Sequence, residues 1–230
     1  AGYLVLGIKK LADKLPESME GIKPVLIYPL FGVLLIGVFM FAVNPTMAAI
    51  NTGITGFLNS MGGSSKILLG CIVAGMMSID MGGPFNKAAY VFGTASIASG
   101  NYDVMAAVMI GGMIPPLAVA LATTFFKKKF TSEERKSGVV NYIMGLCFIT
   151  EGVIPFAAAD PLRVIPSCVA GSAVAGGLSM LFGCTLRAPH GGIFVFPVVG
   201  NVVGYLIALA AGSLVGMLLL GVLKKDKVEE

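Results

Sequence analysis

Three short stretches of this sequence set polar or ionisable residues inside otherwise apolar surroundings, and any chemistry the chain performs has to start there. Glu151 leads, in Cys147-Phe148-Ile149-Thr150-Glu151-Gly152-Val153-Ile154-Pro155. A carboxylate is expensive to bury in such a context, so an intramembrane Glu is a functional residue by default. Its oxygens accept hydrogen bonds from hydroxyl groups, and the adjacent Gly and Pro residues release backbone groups for more, which suits a sugar. Thr150 is a candidate ligand with it. The structural alternative for Glu151 is a place facing the aqueous loop side, or an ion pair with an arginine such as Arg163. The second stretch is Asp80-Met81-Gly82-Gly83-Pro84-Phe85-Asn86-Lys87, a break between two short apolar segments. Transporters place binding sites at such breaks. Asp80 and Asn86 are candidate ligands, Asn86 the better, while Lys87 reads equally well as a snorkelling surface cation. His190, the single histidine, lies in the turn Arg187-Ala188-Pro189-His190-Gly191-Gly192, where a ligand role and a structural one are balanced. One histidine without cysteine or paired carboxylate neighbours offers too few ligands for a metal, so neither metal nor cofactor is expected.

The elements that must position these residues are membrane elements. Of 230 residues 56% are hydrophobic and 12% charged, against roughly 25% charged in soluble domains. A soluble enzyme is excluded. The net charge of +4 comes from Lys and Arg clustered at the ends of apolar runs, the mark of cytoplasmic loops, and argues against a nucleic-acid partner. Cys71, Cys147, Cys168 and Cys184 form no paired motif and read as packing residues. No signal peptide is visible, and a start without Met suggests that an N-terminal portion is missing.

Residues 3–15 read as an amphipathic helix at the membrane surface, with Leu4, Ile8, Leu11 and Leu15 on one face. The uncharged residues 24–43 form a first span. After Asn44-Pro45, the residues Met47, Ile50, Ile54, Phe57, Leu58 and Met61 share a face and predict a second interfacial helix. Residues 67–79 and 88–98 flank the break at Asp80, as a broken or re-entrant pair. Residues 104–126 form a span interrupted by Pro115-Pro116 and stopped by Lys127-Lys128-Lys129. A polar loop over 131–137 precedes a second interrupted stretch, 139–159, with Glu151 at its centre. Spans over 164–186 and 201–223 follow, and the tail is basic again. The fold class is therefore an all-α membrane protein, a multi-span helical bundle with broken or re-entrant hairpins and interfacial amphipathic helices. The run at 127–129 and the tail at 224–227 belong on one side of the membrane.

Asp80-Met81-Gly82-Gly83-Pro84-Phe85-Asn86-Lys87-Ala88-Ala89, Ile149-Thr150-Glu151-Gly152-Val153-Ile154-Pro155-Phe156 and Ala188-Pro189-His190-Gly191-Gly192, in this order, resemble the fructose-type IIC domain of the bacterial phosphotransferase system. The resemblance covers nearly the whole chain, which would be a single IIC-type transmembrane domain over residues 1–230 without its N-terminal spans. It implies a multi-pass permease of the bacterial inner membrane that binds fructose or a related hexose and alternates access between the two sides. It further implies partner IIB and IIA domains that carry the phosphoryl group, a homodimer, and a site in which Glu151 binds sugar hydroxyls with His190 and Asn86 beside it. No phosphoryl-accepting residue is expected in this chain. An ion-coupled secondary transporter, or a membrane assembly subunit without a substrate, is the alternative.

Overall fold

The computed structural model describes residues 2–16, 19–60 and 66–227. The chain divides into two compact units, Ala1–Gly53 and Ile54–Glu230.

In the first unit, α1 (Gly2–Ala12) stops short of the predicted residue 15; it buries Ile8 and Ala12 and exposes Lys9 and Lys10, but Leu11, expected on the face of Ile8, is exposed as well. Wider helical turns over Lys23–Ile27 lead into α2 (Tyr28–Ser60). Lys23–Thr46 is long and apolar enough to cross a membrane, and its side chains point outward, Val33 at 75% and Phe41 at 83% exposure, as lipid-facing residues do. The expected break at Pro45 does not occur, because α2 continues through it. A proline withholds one N–H from the carbonyl four residues earlier, a loss that local adjustment tolerates in membrane helices. Of the predicted second interfacial face, Met61 and the side chains of Met47, Ile50, Ile54, Phe57 and Leu58 lie outside the described residues.

The second unit is built around α5 (Asp103–Phe125), in which every residue from Val104 to Ala120 is buried. A helix apolar all round must be enclosed by others. Here α3 (Lys66–Ile79), α4 (Pro84–Ala98), α6 (Ser132–Leu146), α8 (Pro161–Leu181) and α9 (Val202–Leu223) pack against it. The short α7 (Ile154–Ala159) precedes α8. Helices α5, α8 and α9 are long and apolar enough to span, whereas α3 is a shorter apolar helix. Pro115 and Pro116 lie inside an unbroken α5, contrary to the predicted interruption. The polar stretch 131–137, read as a loop, is instead the start of α6. Thr131 Oγ1 accepts from Glu134 N–H while the Glu134 carboxylate accepts from Thr131 N–H, a reciprocal cap legible in Thr-x-x-Glu.

Lipid provides no hydrophobic drive to bring these helices together, so close approach relies on small residues. A Cβ on Gly171 would lie 2.6 Å from Gly212 O, where α8 meets α9, and one on Gly176 would collide with Gly70 O and the Ala74 side chain, where α8 meets α3. The four cysteines are free.

The basic run after α5 and the chain's tail are tied together. Lys129 Nζ donates to Lys224 O at 2.6 Å, Lys227 N–H donates to Lys128 O at 2.9 Å, and Lys227 Nζ donates to Glu134 Oε1 at 2.8 Å. Burial alone would raise the Glu134 carboxyl, but the Lys227 hydrogen bond, the Thr131 N–H and the Lys227 charge outweigh it and hold the group below its ordinary value of 4.5. A group with a lowered folded value stabilises the clamp fully above its ordinary value and loses it as pH falls through the lowered one. A nitroxide placed at Lys225 should thus be immobile at neutral pH and become mobile only as pH falls below the ordinary carboxyl value, through the lowered one. In Glu134→Gln it should be mobile already at neutral pH. Mobility unchanged across that range in the parent protein would show that the ion pair does not hold the tail.

Candidate functional site

The first break is built by its own side chains. Gly83 precedes α4 and Pro84 occupies its first turn, but Gly83 has no side chain with which to cap the helix. Asp80 takes that role: Oδ2 accepts from Phe85 N–H at 2.7 Å and Oδ1 from Asn86 N–H at 3.0 Å, satisfying donors a helix start leaves open. Asn86, 3% exposed, donates through Nδ2 to Met77 O at 2.8 Å, in the last turn of α3. Its second amide proton and its carbonyl oxygen make no hydrogen bond among the described residues. Met81 sits at φ 47°, costly for a bulky residue, and its side chain is buried with Val119, Phe156 and Val164.

The second break follows α6. Phe148 adopts φ 63°, the turn Thr150–Val153 forms a 3₁₀ helix, and α7 continues from Ile154. Thr150, 4% exposed, donates its hydroxyl to Gly112 O of α5 at 3.0 Å. Glu151 is exposed, and no hydrogen bond or ion pair engages its carboxylate among the described residues. Arg163 instead donates to Asp160 Oδ1 at 3.0 Å, so the pairing of Glu151 with Arg163 is not formed.

The two breaks meet. Gly82 has φ 117°, a backbone that requires glycine, and a Cβ there would stand 2.9 Å from Glu151 Oε1. The third stretch arrives from a small hairpin, β1 (Thr185–Leu186) paired antiparallel with β2 (Val199–Gly200). Gly192, at φ 56°, lies where a Cβ would collide with Leu146 O, and this seats the His190 turn on the end of α6. Arg187 stacks its guanidinium 4.9 Å above the Tyr102 ring.

These pieces enclose a cavity of about 410 Å³ lined by Met77, Asn86, Lys87, Tyr90, Phe148, Ile149, Thr150, Glu151 and His190, within the ~300–1,000 Å³ usual for small-molecule sites. The His190 ring lies edge-on to Phe148 at 5.1 Å and to Tyr90 at 6.5 Å. Asn86, Thr150, Glu151 and His190 are thus brought together from three separate stretches. Asp80 is not among the lining residues. Tyr90, Phe148, Met77 and Ile149 were not singled out from the sequence. For Tyr90 a signal existed, since it follows Asn86 by four residues in a helix opened by Pro84 and so shares its face. Nothing local in the sequence signals the left-handed turn that aims Phe148.

A family profile described as "Phosphotransferase system, EIIC" matches residues 1–171. The chain is 52% identical over 231 residues to the "PTS system fructose-specific EIIABC component" of Bacillus subtilis (strain 168), covering 100% of the chain and 36% of that protein. It is 53% identical over 231 residues to the "Fructose permease IIC component" of Bacillus amyloliquefaciens, covering 100% of the chain and 75% of that protein. Against the "PTS system fructose-specific EIIB'BC component" of Escherichia coli (strain K12) it is 47% identical over 220 residues, 94% of the chain and 39% of that protein. The chain therefore spans well under half the length of two of these three relatives. No solved structure matches it. With four helices among the described residues long and apolar enough to cross a membrane, this chain belongs to the EIIC family of the phosphotransferase system and is a multi-pass protein of the bacterial inner membrane.

Proposed function

We propose that this chain is the sugar-translocating permease of a phosphoenolpyruvate-dependent phosphotransferase system, fructose its substrate, with the sugar phosphorylated by a partner IIB domain that is itself charged from IIA. The observation that carries this reading is the cavity at which the two chain breaks and the His190 turn converge. A hexose presents hydroxyl groups around its rim and C–H groups on its faces. Glu151 accepts from the former, Asn86 and His190 add donors or acceptors, and the Tyr90 and Phe148 rings offer apolar surface to the latter. Lys87, also lining the cavity, supplies positive charge for an arriving phosphoryl group. The Bacillus subtilis relative is an EIIABC component by name and the Escherichia coli relative an EIIB'BC component, which supports partners of that kind here.

The test is uptake of radiolabelled fructose into vesicles that carry the permease with its IIA and IIB domains. Fructose phosphate should accumulate only when phosphoenolpyruvate is supplied. Uptake of unmodified sugar that follows an imposed proton or sodium gradient, without the donor, would replace this reading with ion-coupled transport.

A further inference from the structure

Pro115 and Pro116 stand in the middle of the most deeply buried helix of the protein. A proline inside a helix has no N–H to give to the carbonyl four residues earlier, and its ring pushes that carbonyl away from the axis. The carbonyls concerned are those of Gly111 and Gly112. Each receives a hydroxyl from another element. Ser172 Oγ of α8 donates to Gly111 O at 2.8 Å, and Thr150 Oγ1 donates to Gly112 O at 3.0 Å, both pairs buried. Ser78 of α3 lies 2.5 Å from Ser172 Oγ, and since Ser172 has spent its one proton, Ser78 is the donor in that pair.

A buried carbonyl at membrane depth has no water to turn to, so its partner must be protein. The two adjacent prolines thus convert one turn of α5 into two acceptor sockets. One is filled by the α3–α8 pair through Ser78 and Ser172. The other is filled by the first residue of the 3₁₀ turn that carries Glu151.

We infer that Thr150 is a positioning residue, not a sugar ligand: its hydroxyl fills the socket opened by Pro116 and thereby holds the Thr150–Val153 turn, and with it Glu151, against α5. Thr150 and Gly112 are 38 residues apart in sequence, and among the described residues the Thr150 hydroxyl is the turn's side-chain hydrogen bond to α5, beside the apolar burial of Val153 and the close packing of Gly152 against Asn141 and Met144. The functional part of this inference rests on the reading that Glu151 binds the sugar. The structural part does not.

The experiment is a double-mutant cycle on the full protein in detergent, read by thermal unfolding without sugar and by fructose binding. Thr150→Val keeps shape and removes the hydroxyl. Pro116→Ala restores the N–H that Gly112 O lacks, which makes the hydroxyl dispensable. Thr150→Val should lower the unfolding temperature and weaken fructose binding about tenfold. In the Pro116→Ala background the same substitution should leave the unfolding temperature unchanged and fructose binding within about twofold. Thr150→Ser should behave as the parent does. An equal effect of Thr150→Val in both backgrounds would overturn the inference, since a direct sugar contact is indifferent to Pro116. Should Pro116→Ala not fold, the parallel cycle of Ser172→Ala with Pro115→Ala tests the same socket logic by unfolding temperature, and additivity there would overturn it. A parent protein that binds no fructose would defeat the proposed function, while the unfolding cycle still decides the role of Thr150.

Discussion

Glu151→Gln should weaken fructose binding by about 1.5–3 kcal/mol, roughly ten- to a hundredfold, and abolish donor-dependent accumulation of fructose phosphate. Glutamine keeps the size and shape of the side chain, so the fit against Gly82 survives. It loses the charge and replaces one acceptor oxygen by a donor. A carboxylate engaged by its own protein would have less to give. Glu151 differs from Asp80 in this respect, because both Asp80 oxygens are occupied by the amides of Phe85 and Asn86, whereas the carboxylate of Glu151 is exposed in the cavity. Equilibrium binding of labelled fructose to the purified protein measures the effect. Parental affinity in the mutant would remove Glu151 from the site.

Gly176→Val is expected to have the largest effect on folding. The α3–α8 contact is backbone against backbone: a Cβ at 176 would collide with Gly70 O, and Gly70 is just as closed, with a Cβ there 2.5 Å from Gly176 O. No rotamer of valine relieves a collision that begins at Cβ, so the helices must separate. Overpacking of this kind costs about 1–3 kcal/mol in soluble cores and occasionally more. Because association of membrane helices depends on such close packing, the upper end, about 3 kcal/mol, is expected here. Ser78 and Ser172, which bridge the same two helices, would be pulled apart too. The monodisperse fraction after size exclusion and the unfolding temperature both report it. Gly37→Ala is the control, since a Cβ at Gly37 meets nothing within 4 Å and the protein should tolerate it. A Gly176→Val protein that unfolds at the parental temperature would show that the α3–α8 contact is not close.

Much of the architecture is legible in the sequence because transfer into a bilayer depends on a local sum. Residues 104–126, 164–186 and 201–223 announce spans through uninterrupted apolar content, and α5, α8 and α9 lie there with ends shifted by a few residues. The break at Asp80 to Pro84 is equally local, since two glycines and a proline in a row do not continue a helix. Glu151 stands out because the cost of an intramembrane carboxylate is a property of its immediate neighbours.

The errors have a common origin. Pro45, Pro115 and Pro116 were expected to interrupt, and none does. Whether a proline breaks a membrane helix depends on whether its surroundings tolerate or satisfy the carbonyl it releases. For α5 the hydroxyls come from residues 38 and 61 positions away. Asp80 and Thr150 carry ligand chemistry as well, and only the fold shows the bonds they make: Asp80 caps α4, and Thr150, which lines the cavity, donates to α5. The sequence by itself determined that this is a membrane bundle with two breaks and one costly carboxylate, because hydropathy and helix-breaking act over neighbouring residues. The tertiary structure alone decided which polar groups face the cavity and which protein atoms they bond, because each buried hydrogen bond is a choice among partners that chain distance does not constrain.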